Sequence, residues 1–307
     1  MNMWNDRNKG YLAAILLAMI VGFSFMVTKL TIGSAGPVET LAHRFTVSFV
    51  TLIALLFSRT IKLQLTWDEV KVLLPLSFFY PILFFSFQIF GLQYIASSEA
   101  GIIQATAPII TMILAGFLLK EKSNGTQKLF MMLSLFGVFY ISFMKGLSFS
   151  SKSLYGLLLI LFSATASATS NVLSRKFSRR YGFLKITALA ITVGFLVFNL
   201  LNVMVHLIHG NLLNYFDPLK NRTYLLAVIF LGTLSTLGTS LLSNYSLSKL
   251  EASRMSIFTH LGTVISIIAG VVILHEPLHG YHLLGAFLIL LGVIGTNYVG
   301  RHHPLVH

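Results

Sequence analysis

A few polar side chains interrupt long apolar segments, and these side chains could contact a ligand. Gln88, Gln104 and Pro108 lie in two consecutive apolar segments. A glutamine amide offers donors and an acceptor, while a proline removes one backbone donor and frees a carbonyl in the preceding turn. Because polar groups are costly in lipid, they indicate either a site for a polar ligand or hydrogen bonds between helices.

Similar side chains occur in the second half of the chain. His260 follows Thr259 within an apolar segment, and a histidine there could bind a carboxylate or carry a proton. Asn171 and Asn244 stand among Ser, Thr and Gly residues that suit close helix packing, but their own amides are larger than packing requires. We include all four as candidate ligand contacts, with hydrogen bonds between helices as the alternative.

Ser24 and Lys29, in the first apolar segment, complete the candidate set. Lys29 lies at the end of that segment, where a lysine can also reach the lipid headgroups, so an interfacial role competes with gating or substrate binding. For Arg44 we predict a local ion-pair cluster with Glu39 and His43 rather than substrate binding.

The sequence offers no recognisable catalytic or metal-binding motif. It contains no Cys, which excludes disulfides and thiolate chemistry. His275-Glu276 lacks the second His that a His-Glu-x-x-His zinc motif requires, and no Gly-Lys-Ser nucleotide loop is present. We therefore predict neither enzymatic activity nor a bound metal ion or cofactor.

Composition identifies lipid as the solvent. Apolar residues make up 55% of the chain, charged residues only 10%, and the mean hydropathy is +0.81. A soluble domain carries about 25% charged residues. The net charge of +13 comes from short basic clusters between apolar segments, as membrane orientation rules predict, so we expect no binding to nucleic acid.

The positions of apolar runs and helix breakers predict an all-α protein with about ten membrane spans. Glu99 lies near the start of the fourth and is interpreted as interfacial. The spans are predicted at 11–31, 38–58, 72–92, 98–119, 127–145, 154–174, 184–208, 223–245, 253–274 and 281–299.

Basic residues predict the orientation in the membrane. With the N-terminus in the cytoplasm, sixteen of the 22 Lys and Arg residues fall in cytoplasmic segments and four in the opposite loops, namely Lys145, Lys152, Lys220 and Arg222. Cytoplasmic loops carry such an excess of Lys and Arg. We expect a multi-pass protein of the cytoplasmic membrane with both termini in the cytoplasm.

The chain contains an internal repeat. Residues 92–138 align with 247–293 at a shift of 155, with matches that include Glu121 with Glu276 and Gly137 with Gly292. Five spans per copy is an odd number, so the second copy must be inverted. We predict two five-helix repeats over 11–145 and 154–299, a construction found in secondary transporters with a substrate site near the membrane midplane.

The chain resembles the drug/metabolite transporter superfamily, and within it the EamA-type exporters. The resemblance is carried by Gly-Phe-Ser-Phe-Met-Val-Thr-Lys at 22–29, Ala107-Pro108, Leu118-Leu119-Lys120-Glu121 and Leu274-His275-Glu276-Pro277. It implies ten helices, cytoplasmic termini and export of small metabolites. Thr263 stands where the first repeat has Pro108, so the ninth span should lack the break expected in the fourth span.

These features predict a secondary transporter that exports amino acids or similar small metabolites by alternating access. Uptake of a vitamin, transport of a drug cation, and a membrane receptor or assembly partner are the alternatives. The expected partners are a small-molecule substrate and the lipid bilayer. The sequence leaves open proton coupling, the substrate, and whether the protein is a monomer or a homodimer.

Overall fold

The computed structural model describes residues 3–58, 63–118, 125–146, 151–249 and 252–302, and every regular element within them is a helix. The α-helices are α1 Met3–Ile32, α2 Pro37–Phe57, α3 Trp67–Ser77, α4 Phe84–Gly91, α5 Ser97–Gln104, α6 Ala107–Leu118, α7 Gly125–Gly146, α8 Ser151–Tyr181, α9 Phe183–Ile208, α10 Arg222–Gly232, α11 Thr239–Lys249, α12 Ala252–Ile273 and α13 Gly280–His302.

In the described residues, seven helices are long and apolar enough to cross a membrane. They are Asn8–Ile32, Pro37–Phe57, Trp67–Gly91, Ser97–Leu114, Lys152–Ser174, Leu184–Ile208 and Arg222–Ser243. Three shorter apolar helices accompany them, at Gly125–Ile141, Leu261–Ile273 and Gly280–Thr296. The all-helical architecture is confirmed for these parts of the chain, while the count of ten spans stays a prediction.

The predicted break in the fourth span is confirmed. α5 ends at Gln104 and α6 begins at Ala107, because Pro108 cannot donate a backbone hydrogen bond to the preceding turn. The carbonyl of Thr106 instead accepts from Ile109 N at 2.9 Å and from Ile110 N at 3.1 Å. As expected from Thr263, α12 runs through the corresponding region without a break.

Two further irregularities were not predicted from the sequence. Between α3 and α4, the segment Phe78–Leu83 forms a wide turn in which Tyr80 leaves helical geometry (φ −138°, ψ 113°). Between α10 and α11, Thr233–Gly238 forms a π-helical turn. A shift of 155 residues, the shift of the sequence repeat, superimposes the bounds of the first segment on those of the second.

Helices α7 and α13 approach each other closely through glycine. A Cβ built on Gly137 would lie 2.9 Å from the carbonyl oxygen of Gly285 and 2.8 Å from Ile289, and one built on Gly292 would lie 2.6 Å from both Phe130 O and Ser134 N. Small residues allow such backbone contact between helices in a membrane. The contacts also run antiparallel, since residues late in α7 meet residues early in α13.

Gly292→Ala is expected to destabilise the protein by about 1–3 kcal/mol, because the new methyl group would overlap two backbone atoms of α7 and force the helices apart. Thermal unfolding in detergent measures the effect. Gly36→Ala is the control, since a Cβ at Gly36 meets nothing within 4 Å. Equal unfolding temperatures for the two variants would contradict the packing argument.

One end of the bundle, which we call the histidine-rich face, contains the loops 33–36, 92–96, 209–221 and 274–279. A 3₁₀ segment at Leu212–Lys220 covers part of it and buries Tyr215. Burial raises the pKa of the Tyr215 hydroxyl, so it remains protonated and donates to Asn199 Oδ1. This bond connects the 3₁₀ segment to α9.

Candidate functional site

Gln104 combines two hydrogen-bond acceptors at the break in the fourth span. Its side-chain Oε1 is buried with no hydrogen-bond partner among the described residues. Its backbone carbonyl cannot receive the usual helical bond from the residue four positions later, because that residue is Pro108. A buried acceptor without a donor is costly, so a ligand that donates hydrogen bonds would be stabilised here.

The neighbours of α5 bring Gln104 close to α1 and α12. Ser266 Oγ on α12 donates to Ser97 O at 3.1 Å, and a Cβ on Gly101 would lie 2.3 Å from the same hydroxyl oxygen. Continuing this antiparallel register brings Gln104 level with Gly262. There α12 meets α1, since a Cβ on Gly22 would lie 2.7 Å from Gly262 O.

Gln88 lies where α4 packs closely on α8. On one side of it, Ser163 Oγ donates to Phe84 O at 2.9 Å; on the other, a Cβ on Gly91 would lie 3.1 Å from Gly156 O. The Gln88 side chain is 6% exposed, so this close packing of α4 on α8 leaves it largely buried.

The remaining candidates are not gathered around Gln88 and Gln104 by any described contact. Asn171 is exposed on α8. Ser24 Oγ donates within its own helix, to Val21 O at 2.7 Å. The side chains of Asn244, Thr259 and His260 lie outside the described residues, so their role in the site stays a prediction.

Lys29 makes contacts with the end of the third span. Its Nζ donates to Ile95 O at 2.7 Å and to Leu92 O. These carbonyls belong to the turn that follows α4, where helical carbonyls lack intrahelical partners. Lys29 therefore stabilises the loop between α4 and α5 by direct hydrogen bonds.

The predicted ion-pair cluster at Arg44 is wrong for the described residues. Glu39 contacts His206, with Glu39 Oε1 3.4 Å from Nε2, and His43 Nδ1 lies 2.9 Å from the Tyr224 hydroxyl. Glu39 and Arg44 are five positions apart, which turns them about 140° from each other around the helix. Arg44 instead points to the π-helical turn after α10, where its Nε donates to Thr236 Oγ1 at 2.9 Å.

Glu99 lies in the first turn of α5 and is buried within the protein, while its interfacial depth stays a prediction. Its side chain is 9% exposed, and its Oε1 lies 2.9 Å from Nε2 of His282, which is 2% exposed. This contact was not predicted, because the sequence does not reveal that α13 begins beside α5. Glu99 and His282 are 183 residues apart in the chain.

Sequence reasoning also missed the structural role of Glu276. Its Oε1 accepts from Ser97 N at 2.7 Å, while its Oε2 accepts from Ser98 N at 3.0 Å and from Ser98 Oγ at 2.8 Å. The carboxylate thus caps the N-terminus of α5 from a loop 179 residues away. The match of Glu276 with Glu121 in the repeat was the available signal, but it gave no partner.

The arrangement defines a helical membrane protein with polar groups buried between broken helices, and comparison with known proteins identifies its class. Residues 8–143 and 154–298 each match the EamA-like transporter family. The chain belongs to the EamA-like transporter family, and it is a multi-pass membrane protein.

Its relatives are transporters by name. A Bacillus subtilis protein called uncharacterized transporter YcxC is 45% identical over 293 residues, which cover 95% of this chain and 94% of that protein. An uncharacterized transporter from Archaeoglobus fulgidus is 26% identical over 91% of this chain and 96% of its own length. A solved crystal structure shares the fold, with a TM-score of 0.64, 17% sequence identity and 99% of each chain covered.

Proposed function

We propose that this membrane transporter exports amino acids or similar small metabolites across the cytoplasmic membrane by alternating access. Residues 11–145 and 154–299 are its two inverted repeats, and both termini face the cytoplasm. The histidine-rich face is then the outer face. The excess of Lys and Arg in the loops at the other end of the bundle, which are then cytoplasmic, supports this orientation.

The observation that carries the proposal is a reciprocal contact between α7 and α13. Gly137 meets Gly285 and Ile289, and Gly292 meets Phe130 and Ser134. Adding 155 to Gly137, Phe130 and Ser134 gives Gly292, Gly285 and Ile289. Each contact is therefore exchanged with the other by the repeat, as an approximate two-fold axis requires.

The packing of the other helices follows the same rule. α1 packs on α12 and on α10 and α11, while α8 packs on α5 and α6 and on α4. α2 packs on α10, and α9 on α3. Each of these contacts has a counterpart when the two halves are exchanged. In this exchange α1 corresponds to α8, α2 to α9, α3 and α4 to α10 and α11, α5 and α6 to α12, and α7 to α13. In three pairs, α2–α9, α5–α12 and α7–α13, a helix packs on its own counterpart, and the two helices are antiparallel. The two-fold axis that relates the halves is therefore perpendicular to the helices, which supports inversion in the membrane.

Two repeats in opposite orientation can exchange their conformations, and the exchange converts a site open to one side into a site open to the other. The substrate site is expected between the repeats near the midplane, where Gln104 and Gln88 offer amides. The acceptors of Gln104 suit the ammonium group of an amino acid.

Counterflow in proteoliposomes tests the function. Purified protein is reconstituted, the vesicles are loaded with one unlabelled amino acid at a time, and entry of the labelled amino acid is followed. We expect accumulation, and we expect Gln104→Ala to slow it about tenfold, the effect of about one hydrogen bond. Gln93→Ala, at an exposed position in the loop after α4, is the matched control.

Three outcomes would contradict parts of the proposal. Without counterflow of any amino acid by folded protein, the substrate class is wrong, and vitamins and organic cations become the next substrates to test. Binding without exchange would favour a receptor. Counterflow that Gln104→Ala leaves unchanged would retain the transporter and reject Gln104 as a substrate contact.

A further inference from the structure

Arg44 is a buried cation inside a membrane span. It lies in the third turn of α2, in the apolar helix Pro37–Phe57, and is 2% exposed. A charged side chain within a span is costly and usually has a counter-charge or a functional ligand. Arg44 forms no ion pair with any carboxylate in the described part of the chain, because Glu39, the acid nearest to it in sequence, contacts His206 instead.

The contacts that Arg44 does make are with neutral groups. Nε donates to Thr236 Oγ1 at 2.9 Å and Nη2 donates to Ser235 Oγ at 3.2 Å. The guanidinium also lies over the ring of Phe85, with Cζ 4.2 Å from the ring centroid. A guanidinium has five N–H donors, and the hydrogen bonds to Thr236 and Ser235 use only Nε and Nη2. The charge itself has no carboxylate partner among the described residues.

Irregular backbone surrounds this cation on two sides. Ser235 and Thr236 belong to the π-helical turn Thr233–Gly238, and Phe85 follows the wide turn Phe78–Leu83. The repeat shift of 155 relates these two turns, and Arg44 contacts one of them directly and the first turn of the helix that follows the other. Substrate sites of transporters with inverted repeats are typically formed by such interrupted helices.

We propose that Arg44 binds the carboxylate of the transported substrate, so that the substrate is a zwitterion or an organic anion and not a cation. The carboxylate supplies the missing counter-charge. A planar guanidinium can engage both carboxylate oxygens at once, which a lysine ammonium cannot. The hydroxyl groups of Ser235 and Thr236 hold the guanidinium in position before the substrate arrives. This inference rests on the proposed transport function, from which it selects substrates with a free carboxylate.

The test compares free amino acids with their amides, which keep the side chain and the ammonium but lack the carboxylate charge. Thermal unfolding of the full-length protein in detergent is measured with leucine, leucinamide, alanine, alaninamide and lactate. The free acids are expected to raise the unfolding temperature and the amides to leave it unchanged. Stabilisation by the amides that equals that by the acids would overturn the proposal, and this comparison needs no variant.

Variants connect the preference to Arg44. Arg44→Lys keeps the charge and is expected to weaken acid binding about tenfold, and Arg44→Met about 100-fold, with loss of the discrimination against amides. Arg222→Met, at the exposed start of α10, should bind like the unaltered protein. A folded Arg44→Met variant that still prefers acids to amides would overturn the proposal.

Lactate distinguishes failure of the proposed amino-acid transport from failure of the inference about Arg44. If lactate stabilises the unaltered protein while leucine and alanine do not, Arg44 is an anion site and the substrate class is an organic acid other than an amino acid. If neither the amino acids nor lactate stabilise the unaltered protein, Arg44 only connects α2 to the π-helical turn, and the inference is wrong.

Discussion

Glu276→Gln is expected to make a cysteine at position 97 reactive. The Glu276 carboxylate accepts hydrogen bonds from Ser97 N at 2.7 Å, Ser98 N at 3.0 Å and Ser98 Oγ at 2.8 Å. These bonds connect the loop before α13 to the start of α5 on the histidine-rich face. Ala96, which precedes α5, has no side-chain cap of its own, so Glu276 supplies the acceptors and the negative charge that this helix end favours.

The glutamine variant keeps the size of the side chain but weakens the connection. One amide oxygen can still accept a bond, while the amide NH₂ group turns toward backbone donors. We call the conformation in which the loop of Glu276 has separated from α5 the open state. Loss of the charge-assisted bonds costs about 1.5–3 kcal/mol, which raises the population of this open state about 10–100-fold. If the face must open during transport, the variant will favour that open conformation.

Labelling with a membrane-impermeant maleimide measures this opening. The chain has no Cys, so Ser97→Cys introduces the sole thiol, and the Ser97 hydroxyl it replaces is buried without a partner among the described residues. The labelling rate should rise about 10–100-fold in Ser97→Cys/Glu276→Gln. Ser97→Cys/Asp217→Asn, which removes an exposed ion pair, should label at the Ser97→Cys rate.

The same reagent on intact cells tests the orientation. Labelling from outside would support the histidine-rich face as the outer face, whereas labelling only after the cells are lysed would contradict it. Equal labelling rates with and without the Glu276→Gln substitution would contradict the role of the carboxylate in holding the face closed.

Features that depend on local sequence were predictable. Long apolar runs indicated the helices, because a segment in lipid must satisfy its backbone hydrogen bonds internally. Pro108 indicated the break after Gln104, and Thr263 indicated an unbroken α12. Proline also stood in the third span, at Pro75 and Pro81, and could have indicated the irregular turn there.

Features that depend on distant partners were not predictable. Glu276 caps a helix that begins 179 residues earlier, and Glu99 meets a histidine 183 residues later. Neighbours in sequence even misled the interpretation of Arg44, because residues five positions apart on a helix face different directions. The π-helical turn after α10 contains no proline, so the repeat shift from the third span was the sole sequence signal for it.

His282→Ala is expected to destabilise the protein strongly, because it removes a buried partner of the Glu99 carboxylate. His279 N donates to His282 Nδ1 at 3.1 Å, so Nδ1 must be unprotonated. Nε2 then carries the hydrogen and donates to Glu99 Oε1 at 2.9 Å. The two buried side chains are therefore joined by a direct hydrogen bond, which contributes about 1.5–3 kcal/mol where its acceptor is a carboxylate.

Thermal or denaturant unfolding of four proteins measures this interaction: the unaltered chain, His282→Ala, Glu99→Gln and the double variant. A bond between the two side chains predicts that the second change costs less once the first is present, with a coupling energy of about 1–3 kcal/mol. His209→Ala, on the exposed end of α9, is the control and should change stability by less than about 0.5 kcal/mol. Strictly additive losses would mean that each residue acts through other contacts. A clear coupling would establish that α5 and α13 are held together beside the Glu276 cap.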